Sequence, residues 1–257
     1  MAKGTALVTG ASAGLGTELA KLCAAGGYDV VLVARGAARL AELAADLART
    51  YGIQARPLVA DLADPAAPQE IYAQVRSTPL DLLINNAGFG LRGAFAETDW
   101  AAEARLLQVN VAALAHLTKL FLPEMVRRRS GRILNVASTA AFVPGPFMAM
   151  YYASKAFVLS FSEALANEVE GAGVSVTALC PGPTRTGFAE AAGITGSNLF
   201  HGPAMGAAEV AREGYDAMMA GQSSVIAGAR NRWLMRGAGL IPRRWAAAAT
   251  RKLNLDN

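Results

Sequence analysis

The stretch Tyr151-Tyr152-Ala153-Ser154-Lys155 puts two phenols within one helical turn of an ammonium group. Tyr151 stands four positions before the lysine and Tyr152 three, and on a helix both spacings share a face. An isolated tyrosine, with a pKa of about 10, is a sluggish acid–base catalyst at neutral pH. A lysine cation beside it stabilises the phenolate and brings the proton toward the working range. Helical geometry alone leaves both tyrosines open as the acting group.

A second candidate lies near the start of the chain, where Thr9 is followed by Gly10, Ala11, Ser12, Ala13, Gly14, Leu15 and Gly16. The glycine spacing G-x-x-x-G-x-G is not the common dinucleotide fingerprint G-x-G-x-x-G, but the physics is shared. Small residues let the backbone approach a pyrophosphate, and the amides opening the next helix favour its negative charge. Dinucleotide folds that take NAD usually carry an acid at the end of the second strand, to hold the adenine ribose hydroxyls. Here that strand ends in Ala34 and Arg35. No carboxylate repels a 2′-phosphate, Arg35 is there to pair with it, and Arg39 follows one turn later. This favours NADP(H) over NAD(H). The bland alternatives are a glycine turn with no ligand and a solvated arginine at a helix start.

The elements that must position these groups follow from periodicity. Residues 5–10, 29–34, 81–85, 131–138 and 174–180 are near-continuous apolar runs, as expected of strands buried on both faces. Between them lie helical stretches at 15–26, 37–50, 66–77, about 100–129, 152–170 and 207–220. Strands alternating with helices predict an α/β fold: a doubly wound parallel sheet, Rossmann-like, with helices on both faces. The reading is a single domain over residues 1–257, with a loop-rich substrate lid at about 183–205 and a basic tail at about 228–257. With 53% hydrophobic and 17% charged residues, the 257-residue chain has ample core-forming material and lacks the signature of disorder.

No apolar run approaches the roughly eighteen residues of a membrane span, and the first residues lack a signal-peptide pattern. Cys23 and Cys180 stand in apolar contexts and read as reduced buried thiols, which suits a cytoplasmic protein. His116 and His201, far from both cysteines, form no metal-ligand cluster, so no metal is expected.

Several motifs fall in order along the chain: the glycine turn, Asn85-Asn86-Ala87-Gly88 after the fourth strand, Asn110 in the long helix, Ser138 ending the fifth strand, Tyr151 with Lys155, and Pro181-Gly182 after the sixth strand. Together they resemble the short-chain dehydrogenase/reductase family in its single-domain form. The resemblance implies a hydride-transferring oxidoreductase whose active-site pattern, Tyr-x-x-x-Lys, selects Tyr151 over Tyr152 as general acid/base. It implies that Lys155 supports Tyr151 and holds the nicotinamide ribose. Ser138 would orient the substrate oxygen, and Asn110 would distort its helix and hold a proton-relay water. By the same resemblance Ser12, Ala13, Leu15 and the glycines line the phosphates, and Asp61 meets the adenine beside Leu62. Asn86, Ala87 and Gly88 pack near the adenosine ribose and stabilise the central sheet. Pro181, Gly182 and Thr184 or Thr186 meet the nicotinamide. Homodimers or homotetramers through the long helices are the family expectation.

The segments 139–150 and 187–205, expected to line the pocket, are rich in Phe, Met, Ala, Val and Leu. They suit a lipophilic ketone or secondary alcohol. A 3-oxoacyl chain on CoA or a carrier is the second enzyme reading, and a catalytically silent cofactor-binding sensor or scaffold the non-enzymatic one. From Gly228 onward seven basic residues face one acid, Asp256, a net +6 within a chain of +4, so the preceding part carries −2. This tail, with Trp233 and Trp245, reads first as a helix packed on the body or at a subunit interface. Contact with a membrane surface or with an acyl thioester's phosphates is the alternative. Without a motif or an overall basic domain, nucleic acid is not an expected partner.

Overall fold

The computed structural model describes residues 2–188, 204–238 and 241–255. Seven parallel strands form one sheet in the order β3-β2-β1-β4-β5-β6-β9. They are β1 (Thr5–Thr9), β2 (Asp29–Ala34), β3 (Ala55–Val59), β4 (Leu82–Asn85), β5 (Gly131–Val136), β6 (Val174–Cys180) and β9 (Ser224–Ile226). A two-stranded parallel pair, β7 (Thr184–Arg185) and β8 (Met205–Gly206), stands apart from it. Among the described residues the α-helices are α1 (Gly14–Ala25), α2 (Ala37–Tyr51), α3 (Ala67–Val75), α4 (Trp100–Leu107), α5 (Leu114–Arg128), α6 (Ala149–Glu168), α7 (Ala207–Met219), α8 (Ala229–Ala238) and α9 (Arg243–Asn254).

Strand alternation sends side chains to two cores. From β1, Ala6 and Val8 pack with Leu19 and Leu40 of α1 and α2 and with Val210 and Met218 of α7. Leu7, between them, faces the other layer with Ile71, Leu117, Phe121 and Met125. Both faces of each central strand are therefore apolar, which is why those strands read as continuous hydrophobic runs. The sheet reverses its winding direction between β1 and β4, opening a crevice at the strands' C-terminal ends, where α/β sheets bind ligands.

Three findings depart from the sequence reading. Strand β9 is only three residues long, too short for periodicity to reveal. Residues Trp100–Arg128 form one long helical run of mean hydropathy 1.3 over its most apolar window, long and apolar enough by composition to cross a membrane. Its buried residues Leu106, Val109, Ala113, Leu117, Phe121 and Met125 instead belong to the protein's own cores. Helix α6 begins at Ala149, three residues before the expected start, so both tyrosines stand in its first turn. Of the expected lid at 183–205, residues 189–203 lie outside the described residues.

Candidate active site

The two tyrosines part company at once. Tyr152 donates its hydroxyl to Asn254 Oδ1 of α9 at 3.2 Å. The Tyr151 phenol turns instead toward the Ser138 hydroxyl, which acts to ease its deprotonation. The rings meet edge-on at 6.0 Å between centroids, so one helical turn sends one phenol to the end of β5 and the other to the C-terminal helix.

Ser138 is held where the chain leaves β5. Its Oγ accepts from Ala140 N at 3.1 Å, capping the short 3-10 turn Thr139–Phe142, and lies 3.4 Å from the Pro181 carbonyl. Lys155, buried, donates from Nζ to the Val136 carbonyl at 2.8 Å and stands 5.8 Å from the Tyr151 ring centroid. Burial dominates the electrostatics. It pushes the Tyr151 phenol well above its ordinary value, with the Ser138 hydroxyl working the other way. It also pulls the Lys155 ammonium down to about 8. Burial, and not the lysine, is thus the dominant influence on the tyrosine, in contrast to the expected lowering.

Asn110 lies in a π-helical stretch, Gln108–Ala113, between α4 and α5. Such a stretch leaves the regular i→i−4 ladder, and π-bulges recur at functional sites. The carboxamide turns inward: Oδ1 accepts from Phe89 N at 3.0 Å, and Nδ2 donates to Phe89 O at 2.9 Å and to Ser154 Oγ at 3.1 Å. Ser154 in turn donates to the Tyr151 carbonyl at 2.7 Å. Asn110 therefore ties the segment after β4 to the first turn of α6. Beneath it, register pairs Asn85 with Asn135, whose side chains bond at 2.9 Å, and Asn135 reaches Ser162 at 2.9 Å.

A cavity of about 890 Å³ occupies the crevice beside this site. Of the residues expected to hold a dinucleotide, Gly10, Ser12, Arg35, Arg39, Asp61, Leu62, Ala87 and Gly88 line it. The glycine turn fits a pyrophosphate. Gly10 sits at φ 65°, and a Cβ on Gly16 would lie 2.2 Å from the Gly10 carbonyl oxygen, so only glycines close the turn this tightly. Helix α1 opens at Gly14 with no side-chain cap from Ala13 and no acid in its first turn, leaving its first amides for an anion. Leu15 packs against the core beneath the turn.

Two of the expected residues are engaged within the protein, Asn86 in the sheet-stabilising part of its expected role. The Asn86 side chain turns to the carbonyls of Thr9 and Gly10, at 2.9 and 3.2 Å, so it braces β4 against β1 and does not line the cavity. Asp61 lines the cavity with its carboxylate engaged, Oδ2 with Arg105 at 2.8 Å and Oδ1 with Ala63 N at 3.1 Å. Arg105 lines the same cavity from α4 and was not among the expected residues. Forty-four positions separate it from Asp61, and no local pattern signals the pair.

On the remaining side, Thr186 lies against the glycine turn: a Cβ on Gly14 would come 3.1 Å from its side chain. Thr184 donates to the Gly182 carbonyl at 2.9 Å. Gly182, after Pro181, is covered by Asn231 of α8. An apolar cluster of Leu106, Ala140, Met148 and Tyr152, with Val143 and Phe188 against it, surrounds Tyr151, and the Phe188 ring is 5.4 Å from the Tyr151 ring.

Comparison with known proteins agrees with this architecture. The family model described as short chain dehydrogenase matches residues 4–195. A very-long-chain 3-oxoacyl-CoA reductase of Phaeosphaeria nodorum is 38% identical over 177 residues, 66% of this chain and 52% of that protein. The chain spans 52% to 69% of the length of the curated relatives it matches. A short-chain dehydrogenase from Sphingobium yanoikuyae in complex with NADPH superposes with a TM-score of 0.84 at 34% identity, covering 91% of this chain and 93% of that one. A 7β-hydroxysteroid dehydrogenase structure superposes at 0.88 with 26% identity and 96% coverage of both chains. With the glycine turn, the π-distorted helix and the Ser138–Tyr151–Lys155 group assembled on one doubly wound sheet, this chain belongs to the short-chain dehydrogenase/reductase family.

Proposed function

We propose that the protein is an NADP(H)-dependent oxidoreductase that interconverts a lipophilic ketone and its secondary alcohol, with Tyr151 as general acid/base. The observation that carries this reading is the buried Tyr151 phenol, with the Ser138 hydroxyl beside it and Lys155 at 5.8 Å, walled by Val143, Met148 and Phe188. When bound in the crevice, the nicotinamide cofactor supplies or accepts the hydride. The protein's own residues do the rest. The hydroxyls of Ser138 and Tyr151 converge on the carbonyl oxygen, orienting it and stabilising the charge that develops there. Burial keeps Tyr151 protonated, the form that donates a proton when a ketone is reduced. Lys155 places a cation behind the phenol and favours proton release. Asn110, through Ser154, fixes the helical turn that carries Tyr151.

The cofactor preference rests on the charge of the crevice rim. Arg35, Arg39 and Arg105 line it, against one acid, Asp61, which is already paired with Arg105. A 2′-phosphate gains charge-assisted hydrogen bonds there, whereas a diol gains little. The second substrate reading, a 3-oxoacyl group on CoA or a carrier, is favoured by the name of the Phaeosphaeria relative and by the basic C-terminal segment. Buried Cys23 and Cys180, each thiol pushed up to about 12 by burial, suit a reducing, cytoplasmic setting. Assembly into dimers or tetramers through the long helices is part of the same reading.

The test is NADPH consumption against aliphatic, aromatic, cyclic and 3-oxoacyl carbonyls. Tyr151→Phe should lower kcat/KM about 10²–10⁴-fold. Tyr152→Phe should keep most of kcat, and its KM should rise because α9 loses its hold on the pocket. Arg35→Ala with Arg39→Ala should raise the KM for NADPH about tenfold or more while sparing NADH. Equal turnover by wild type and Tyr151→Phe on every active substrate would sink the assignment.

A further inference from the structure

We propose that the outer faces of α8 and α9 form one docking surface for an anionic lipid bilayer, and that this surface seats the substrate side of the protein on the membrane. The first observation is how much large apolar surface the two helices leave in solvent. Trp233 is 74% exposed, Trp245 63%, Leu234 54% and Ile241 48%. Large side chains this open on consecutive elements mark an interaction site rather than ordinary surface. The second is the charge around them. Arg230, Arg236, Arg243 and Arg244 are all exposed, and no acid occurs between residues 228 and 255. Tryptophan beside arginine, on short helices that lie along a surface, is the chemistry of the lipid headgroup region: the indole is apolar with one donor, and the guanidinium pairs with phosphate. A second copy of the same face would bring like charges together, so the complementary partner is anionic.

The third observation is what the inner faces hold. In α9, Thr250 donates to the Pro144 carbonyl at 2.7 Å and Asn254 to the Pro146 carbonyl at 2.8 Å. Arg251 lies over the Phe147 ring at 4.9 Å, and Asn254 accepts from Tyr152. Phe147 itself adopts φ 65°, a conformation a phenylalanine keeps only when its surroundings impose it. In α8, Asn231 covers Gly182, and Arg232 is tied to Glu213 at 2.9 Å. The two helices therefore stand on the two loops, 143–148 and 181–182, that flank Ser138 and Tyr151. A bilayer bound to their outer faces lies next to the route by which a membrane-dissolved carbonyl would reach Tyr151. That last step rests on the function proposed above, whereas the docking itself does not.

The experiment is co-sedimentation of the full chain with phosphatidylcholine vesicles containing about 30% phosphatidylglycerol and with phosphatidylcholine alone, at about 0.1 M salt. Fluorescence is read in a Trp100→Phe background, where only Trp233 and Trp245 emit. The protein should sediment with anionic but not neutral vesicles, with a blue shift of emission. Arg243→Gln with Arg244→Gln should lower the partition coefficient about 30-fold, and Trp233→Ala with Trp245→Ala should remove the binding. Turnover of a small water-soluble ketone should not change in either double variant. Protein left in the supernatant with anionic vesicles, or sedimenting equally in wild type and variants, overturns the proposal. Tryptophan variants that dissociate a lipid-free dimer without altering sedimentation would assign the face to a second copy and overturn it too. An enzyme that binds vesicles yet turns over no carbonyl would refute the proposed function and leave the docking intact.

Discussion

Tyr151 and Lys155 share a buried site, and burial shifts the protonation of both more than their mutual proximity does. Burial favours the uncharged form of each, raising the phenol and lowering the ammonium to about 8. Carbonyl reduction uses the protonated phenol and the cation behind it. As pH rises, the lysine loses its proton first. The expected profile of kcat/KM for reduction is therefore flat through neutrality and falls above pH 8 or so, with Lys155, not Tyr151, setting the limb. Lys155→Arg keeps a cation that does not titrate in this range. Its residual activity should hold to higher pH, and steady-state rates between pH 6 and 10 for the two proteins check this. Ser138, Tyr151 and Lys155 were legible because the family motif names them in order. Ser154, Asn254 and Arg105 were not, because each earns its place through a partner distant in sequence: Ser154 and Asn110 are 44 positions apart, Tyr152 and Asn254 102.

Among the elements, the π-helical stretch at Gln108–Ala113 explains how Asn110 can serve two segments at once. Widening the helix turns the carboxamide inward, where it satisfies both backbone groups of Phe89, a residue outside any strand or helix. Asn110→Ala would leave the Phe89 N–H and C=O unpaired in a part-buried position. The expected cost is about 2–4 kcal/mol of stability, read as a lower urea midpoint at unchanged m-value. The glycine turn gives a second element-scale prediction. A Cβ on Gly16 would meet the Gly10 carbonyl and the Asn86 carboxamide, the groups that join α1, β1 and β4. Gly16→Ala should therefore weaken dinucleotide binding at least tenfold and also lower Tm, both measurable by thermal melts with and without NADPH.

For the molecule as a whole, the buried ammonium of Lys155 is a stability cost. The folded-state value of about 8 lies below the ordinary 10.5, so between those values the unfolded chain binds more protons. Stability contributed by this group thus rises with pH from about 8 upward, and the cost is fully present below 8, about 3 kcal/mol at neutrality. Lys155→Met should stabilise the fold at pH 7 by about 1–2 kcal/mol, after loss of the bond to the Val136 carbonyl. The gain should shrink by pH 10, while turnover collapses. Denaturant melts at the two pH values test the sign. A stabilised, inactive variant is the outcome expected where an active site retains a group that packing alone would reject.

Local stereochemistry is what the sequence determined by itself. Short apolar runs rich in β-branched residues favour buried strands, the leucine and alanine spacing of residues 37–50 presents one apolar face to them, and the turn at Gly10–Gly16 needs glycine where the backbone closes. These choices depend on neighbours a few positions apart, so the doubly wound sheet and the motif residues were readable. Tertiary structure alone decided that Tyr152 turns to the C-terminal helix, that Arg105 holds Asp61, and that the buried residues of a long apolar helix feed the protein's own cores. Each of those depends on which distant segments meet. That is settled when the two faces of the sheet are covered, and no short window of the chain records it.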